Sequence, residues 1–235
     1  MPTVLITGAG RGIGLEFATQ YASAGWQVIA TARDPVKAED LQRLTKNNSH
    51  VRIEALDVTN PDSITALATR LHGQPIDILI NNAGIYSGTG AKQDDSQSFG
   101  TLDGPAWLKV LQINSVAPML VTQALIDQLR QGQMRKIIMI SSMMGSIART
   151  PGGTYAYRSS KAALNMAMRC LALDLRGENF TVASFHPGWV RTDMGGSGAD
   201  ITPQQSVTGL RQQIDNLTPQ DTGCFLGYDG ARWAW

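Results

Sequence analysis

A doubly wound α/β fold on a parallel sheet is what this 235-residue sequence predicts, and three observations predict it. Short β-rich segments alternate with amphipathic helical stretches from one end of the chain to the other. The β-rich segments are nearly continuous apolar runs rather than in/out alternations, as strands covered on both faces require. A glycine turn follows the first of them directly. Such alternation implies parallel strands joined by right-handed crossovers.

The elements read as follows. "TVLIT" (3–7) is the first strand, and the glycine turn opens a helix over 12–24. "QVIAT" (27–31) leads to a helix at 36–46, and "VRIEAL" (51–56) to one at 61–72. "IDILIN" (76–81) precedes a Gly/Ser/Asp-rich loop, 86–104, and a long helix, 105–131, interrupted by Pro118. "KIIMIS" (136–141) leads to a helix at 155–177. "TVASF" (181–185) leads through the Gly-rich "MGGSGAD" (194–200) to a helix at 203–216, and "GCFLGY" (223–228) closes the sheet. Loops 86–104 and 188–202 follow strands, on the edge where such sheets bind ligands. With no internal repeat and no linker, residues 1–235 read as a single domain.

Bulk properties narrow the function classes. The chain is 43% hydrophobic and 17% charged with a net charge of +1, and no basic run stands out. No global field therefore argues for nucleic acid or a membrane surface. Cys170 and Cys224 are far apart with no CxxC spacing, which excludes a disulfide framework or zinc knuckle and predicts two buried free thiols. No signal peptide and no apolar run of membrane-spanning length is read, so a soluble, cytoplasmic protein is expected. No metal-ligand cluster is present.

The turn "TGAGRGIG" (7–14) is the first chemical signal. Gly8, Gly12 and Gly14 permit positive φ, close approach of a phosphate and tight helix–strand packing. The helix that begins there offers free N–H groups and the positive end of its dipole to a diphosphate. The spacing is GxxxGxG rather than the commoner GxGxxG. At the end of the second strand, where a carboxylate would bind a ribose 2′-OH, stand Ala32 and Arg33, with Arg11 inside the turn. Two guanidiniums suit a 2′-phosphate, so NADP(H) is the expected cofactor; the competing reading is an exposed Arg33–Asp34 pair.

Taken in order, "TGAGRGIG", "NNAG" (81–84), "ISS" (140–142), "YRSSK" (157–161) and "HPGWVRT" (186–192) make the chain resemble the short-chain dehydrogenase/reductase family over essentially its whole length. "ISSMMGSI", "YAYRSSKAALNM", "HPGWVRTDMGG" and the ending "YDG...W" are similar to the branch of the C-factor proteins and Sniffer-type carbonyl reductases. The resemblance implies a Rossmann fold with a seven-stranded sheet ordered 3-2-1-4-5-6-7. It implies an NADP(H)-dependent oxidoreductase acting on a small carbonyl or alcohol, and a homodimer or tetramer. Its cofactor residues fall on Gly8, Gly12, Ile13, Gly14, Asp57, Val58, Asn82, Ala83, Gly84, Tyr157, Lys161, Pro187, Gly188, Val190 and Thr192, beside the Arg11 and Arg33 already read from their charge. Its catalytic set falls on Asn114, Ser142, Tyr157 and Lys161.

The chemistry explains the set. A ketone that accepts hydride at carbon needs an acid within reach of its oxygen. Tyrosine, with a pKa of about 10 in water, is a poor acid–base group unless perturbed. An ammonium about 4 Å away would stabilise phenolate by on the order of 4 kcal/mol at an effective dielectric of about 20, lowering the phenol by roughly three pH units before desolvation. Tyr157 and Lys161, at i and i+4, share a helical face; Tyr155 does not. Only one of Ser141 and Ser142 can face the site, and the residues alone leave the choice open; the family pattern picks Ser142. The Ser142–Tyr157 gap is longer than usual in the family because of "RTPGG". Pro118 removes the i+4 partner of the Asn114 carbonyl, predicting a kink and a carbonyl free to bind a water that relays protons to Lys161. Met143, Met144, Trp189 and Met194 are candidates for a pocket lining. Two rival readings are a nucleotide-sensing or signalling protein with little turnover, and a sugar-nucleotide enzyme, for which little chain remains after residue 202.

Overall fold

The computed structural model describes residues 1–88 and 95–235; the middle of the expected loop 86–104, residues 89–94, lies outside the described residues. Seven strands form one sheet: β1 (Thr3–Ile6), β2 (Gln27–Ala32), β3 (Val51–Ala55), β4 (Ile78–Asn81), β5 (Lys136–Ile140), β6 (Thr181–His186) and β7 (Cys224–Gly227). Every pairing between them is parallel and the order is β3-β2-β1-β4-β5-β6-β7, as the resemblance implied. The helices are α1 (Gly12–Ser23), α2 (Glu39–Asn47), α3 (Pro61–Arg70), α4 (Gly104–Leu111), α5 (Ala117–Ala124), α6 (Ile126–Gln131), α7 (Tyr155–Asp174) and α8 (Pro203–Asn216).

The continuous apolar strands are explained by two cores, one on each face. In β1, Val4 and Ile6 pack with Phe17 and Tyr21 of α1 and with Val207, Leu210 and Ile214 of α8. Leu5, between them, points the other way and packs with Leu67 of α3, Val121 of α5 and Leu164 and Met168 of α7. Burial of such side chains stabilises by about 1.5–3 kcal/mol each, which is why neither face of the sheet can carry polar alternation.

Helix ends follow the local chemistry. Asn60 caps α3 by accepting from the Asp62 and Ser63 N–H groups, and Pro61 occupies its first turn. Thr202 and Gln205 form a reciprocal capping box on α8. The expected helix 36–46 is divided: the Asp34 carboxylate accepts from the Val36 and Lys37 N–H groups and closes a tight turn at Pro35–Lys37, after which α2 starts at Glu39.

The long helix expected at 105–131 is also divided. Between α4 and α5, residues Gln112–Val116 form a π-helical turn in which the Ala117 N–H reaches back five residues to the Gln112 carbonyl. Pro118 has no N–H to offer Asn114, and the one-residue widening immediately before it accommodates that loss. Trp107, upstream on α4, donates from Nε1 to the Ser159 hydroxyl at 2.9 Å and so ties α4 to α7.

At the other end of the chain, residues after β7 fold back over it. The Ala148 N–H donates to the Trp235 carbonyl at 3.0 Å, and the Arg149 guanidinium lies 4.8 Å from the centre of the Trp233 ring. These contacts pin the β5–α7 loop. Cys224 is buried, but Cys170 is exposed, contrary to the expectation of two buried thiols, because it lies on the outer side of α7.

Candidate active site

All parallel strands end on one edge, and the order reverses between β2-β1 and β4-β5, which opens a crevice beyond β1 and β4. Thr7, just past β1, staples that crevice. Its hydroxyl accepts from the N–H groups of Asn82 and Ala83, each at 3.0 Å, while Asn82 Nδ2 donates to the carbonyls of Thr7 and Gly8 at 2.9 and 3.1 Å. Asn81 is buried and donates to Thr122.

The glycine turn has the shape a diphosphate needs. Gly8 and Gly12 have φ of 65° and 57°, in the left-handed region. A Cβ on Gly14 would collide with the Gly8 carbonyl and the Asn82 amide, so only glycine allows α1 this close to the turn. Arg11 at the N-cap of α1 makes no side-chain cap, and the first turn, including Ile13, holds no acidic residue. The first turn thus carries no acidic side chain of its own to compete for its backbone N–H groups. These residues fit a dinucleotide diphosphate.

The arginines are not equivalent. Arg11, expected at the 2′-phosphate, pairs instead with Asp193 at 2.9 Å, and both side chains are exposed. This bridges the turn to the loop after β6, where Thr192 Cγ2 would lie 3.2 Å from a Cβ on Gly12. Asp34 pairs with Lys37 at 3.2 Å rather than with Arg33. Arg33 is exposed at the tip of β2, and its charge helps hold the Asp57 carboxyl below its ordinary range, after the dominant hydrogen bond from Thr59. Val58 packs against the core beside Asp57.

The loop after β6 is well tied. The Pro187 carbonyl accepts from the Ser206 hydroxyl. Gly188, at φ 85°, has no room for a side chain beside Ile201 and Tyr228. Val190 bridges to Ile201, Arg191 Nε donates to the Ala199 carbonyl at 2.8 Å, and Trp189 Nε1 donates to the Gly195 carbonyl at 2.9 Å. Trp189, Met194 and Met143 are about half exposed around this edge.

Tyr157, Lys161 and Ser142 are all buried and meet at the end of β5. Ser141 donates to Asn165 Oδ1 at 2.7 Å, inside the core. Ser142 faces the other way, accepting from the Met144 N–H, and its hydroxyl lies near enough to the Tyr157 phenol to favour the phenolate. Asn114 sits in the π turn: Oδ1 accepts from the Ile85 N–H at 2.9 Å, and Nδ2 donates to the Ile85 carbonyl at 2.8 Å and the Ser160 hydroxyl at 3.0 Å. Gly84 passes between, where a Cβ would sit 3.2 Å from Asn114 Oδ1 and 3.7 Å from Lys161 Nζ.

The electrostatics correct the expectation of a lowered phenol. Burial pushes Tyr157 up to about 12, against the pull of the Ser142 hydroxyl, with nearby Tyr86 adding to the rise. Burial pushes Lys161 down to about 8. The ammonium lies 5.7 Å from the Tyr157 ring centre and donates to the Ile140 carbonyl at 2.9 Å, so desolvation outweighs the attraction foreseen from sequence spacing. His186 is held near 4 by burial and meets the Trp233 ring edge-on. Tyr155 packs between Phe99 and Trp107, away from the phenol site.

Three contributors went unread in the sequence. Thr7 was available as the residue opening the glycine turn. Tyr86, whose ring centre is 5.0 Å from that of Tyr157, and Gln97, whose Oε1 accepts from the Tyr157 N–H, lie in an irregular loop with no periodicity to place them.

Residues 2–201 match the family model described as short chain dehydrogenase. The chain is 44% identical to the C-signal of Myxococcus xanthus over 171 residues, covering 72% of this chain and 99% of that protein. It superposes on the carbonyl reductase Sniffer of D. melanogaster with a TM-score of 0.91 at 35% identity, over 100% of both chains. The NADPH-bound carbonyl reductase from chicken fatty liver gives a TM-score of 0.91 at 36% identity, over 100% of this chain and 99% of that one. With its sheet order, glycine turn and Ser–Tyr–Lys cluster accounted for, the chain belongs to the short-chain dehydrogenase/reductase family of oxidoreductases, in the branch of these carbonyl reductases.

Proposed function

We propose that the protein is an NADP(H)-dependent reductase of aldehydes or ketones. The observation that carries this reading is the buried Tyr157 phenol with the Ser142 hydroxyl beside it and Lys161 one helical turn away, at the strand edge that also bears the glycine turn. When bound, the nicotinamide supplies hydride to the carbonyl carbon. Tyr157 gives its proton to the carbonyl oxygen, and Ser142 hydrogen-bonds that oxygen and orients it. Lys161 holds the ribose hydroxyls and steadies the developing phenolate. The Asn114 carbonyl, denied an α-helical partner by Pro118, is the proposed start of a water-borne proton path to Lys161.

Gly8, Gly12, Ile13 and Gly14 would hold the diphosphate, Arg33 the 2′-phosphate, and Asp57 and Val58 the adenine. Asn82, Ala83 and Gly84 would line the adenosine ribose and the middle of the cofactor, and Pro187, Gly188, Val190 and Thr192 the carboxamide. The similarity to the chicken fatty liver enzyme, which binds NADPH, supports this choice of cofactor. Exposed Leu108, Leu120, Met166 and Leu173, on α4, α5 and α7, support a homodimer. No helix among the described residues is long and apolar enough to cross a membrane.

A panel of aldehydes and ketones assayed for NADPH oxidation tests the reading, with Tyr157→Phe as control. Turnover with the native chain and none with the variant, while NADPH still binds, is expected. The identity to the C-signal favours a second reading, a signalling protein with little turnover. It would be indicated by tight NADPH binding with no carbonyl consumed across the panel.

A further inference from the structure

Helix α7 carries both Tyr157 and Lys161, yet it begins without a cap of its own. Thr154, at its N-cap, lies at φ 49° and makes no side-chain capping bond. The first N–H groups of a helix have no intrahelical acceptor and must be satisfied from elsewhere. The N–H of Tyr157 is taken by Gln97 Oε1 at 2.9 Å, across 60 residues of sequence.

Gln97 ends the short turn Asp95–Gln97, and its side chain is only 3% exposed. Its Nε2 donates to the Tyr86 carbonyl at 3.0 Å. Tyr86 in turn sets its ring 5.0 Å, centre to centre, from the Tyr157 ring. One buried amide therefore joins the backbone of the catalytic helix to the segment whose aromatic ring flanks the phenol. Both halves of that amide are used, one as acceptor and one as donor, and a buried polar group deprived of its partner is costly.

We propose that Gln97 is a positioning residue for the reaction: it caps α7 from outside the helix and fixes Tyr86 against Tyr157, so that the phenol is held in line with the carbonyl oxygen. This rests on Tyr157 being the proton donor. Misplacing a reacting group by an ångström costs up to roughly a hundredfold in rate, so a strut at the helix start acts on kcat rather than on cofactor affinity.

The test combines amide hydrogen exchange with kinetics, using Gln97→Met and Gln97→Glu in the full chain. The Met variant loses both bonds. Its Tyr157 amide should exchange at least about tenfold faster, and kcat per NADPH-binding site should fall roughly tenfold to a hundredfold, while the NADPH Kd stays within about twofold of native. The Glu variant keeps the acceptor and should recover Tyr157 amide protection and part of kcat. Native exchange at Tyr157 in the Met variant, or native kcat despite a freed amide, overturns the proposal. If the Met variant no longer binds NADPH, the Glu variant decides: protected amide with reduced kcat supports the strut, and native kcat overturns it. Tyr157→Phe is run alongside. Normal turnover there removes the proton-donor reading, whereas amide exchange continues to report on the cap itself.

Discussion

The Lys161 ammonium donates to the Ile140 carbonyl at 2.9 Å, so the lysine is delivered to the site by its helix and anchored by the last residue of β5. The buried phenol it serves stays protonated to about pH 12, while the lysine keeps its charge only to about pH 8. In the proposed reduction the phenol must be protonated and the ammonium charged. Reductive kcat/KM should therefore fall as pH rises through about 8, reporting Lys161 rather than Tyr157. Lys161→Arg, always charged, should be slower and should lose that fall; a decline unmoved in the variant would assign it to another group.

Of the two arginines expected at the 2′-phosphate, Arg11 is engaged with Asp193 and Arg33 is exposed at the tip of β2. Arg33→Ala should weaken NADPH binding about tenfold to a hundredfold, as loss of a charge-assisted contact implies, and leave NADH within about threefold. Parallel fluorescence titrations of the two nucleotides distinguish this from a general loss of the site, which would weaken both alike.

Gly14 meets the Gly8 carbonyl and the Asn82 amide so closely that any Cβ must push α1 off the turn. Gly14→Ala should destabilise the fold by about 2 kcal/mol and abolish measurable NADPH binding. Urea unfolding and nucleotide titration on the same preparation check both; a variant of native stability and affinity would refute the packing argument.

His186 supplies an acid-sensitive element. Burial holds it near 4 against 6.5 in the unfolded chain, so the unfolded state takes up the proton first. Its contribution is complete above pH 6.5 and is lost as pH falls toward 4, by up to about 2–3 kcal/mol. His186→Phe keeps a ring against Trp233 and should flatten the loss of urea stability over that window. The lowered carboxyls of Asp57 and Asp221 titrate in both proteins and cancel in the comparison. An unchanged slope would remove His186 from the account.

Much of this molecule was legible from residue order because it depends on local rules. The strands of a doubly covered sheet must be apolar throughout, and a helix start beside glycines must lie close to a strand, so the sheet and the tight glycine turn could be read directly. Spacing selected Tyr157 over Tyr155, and the structure sends Tyr155 to Phe99 and Trp107. What stayed hidden depends on three-dimensional competition. Sequence spacing could not weigh burial against the lysine's field, nor reveal that Asp193 would claim Arg11 from the far side of the crevice. Gln97 was beyond reach for the same reason: a cap supplied from outside the helix leaves no mark near the helix it caps.

The π turn at Gln112–Val116 is a surplus of one residue, and its effect is one of phase. Each residue of an α-helix turns the chain by about 100°. Excising one residue from this turn would restore a uniform pitch but rotate everything upstream by that angle. Trp107 would then leave Ser159, and α4 would present a different side to α7, while Asn114 and Pro118 stayed where they are. The tolerance of this segment to deletion is therefore set by angular register, and a chain one residue shorter here would need a compensating insertion on α4 to keep the same face.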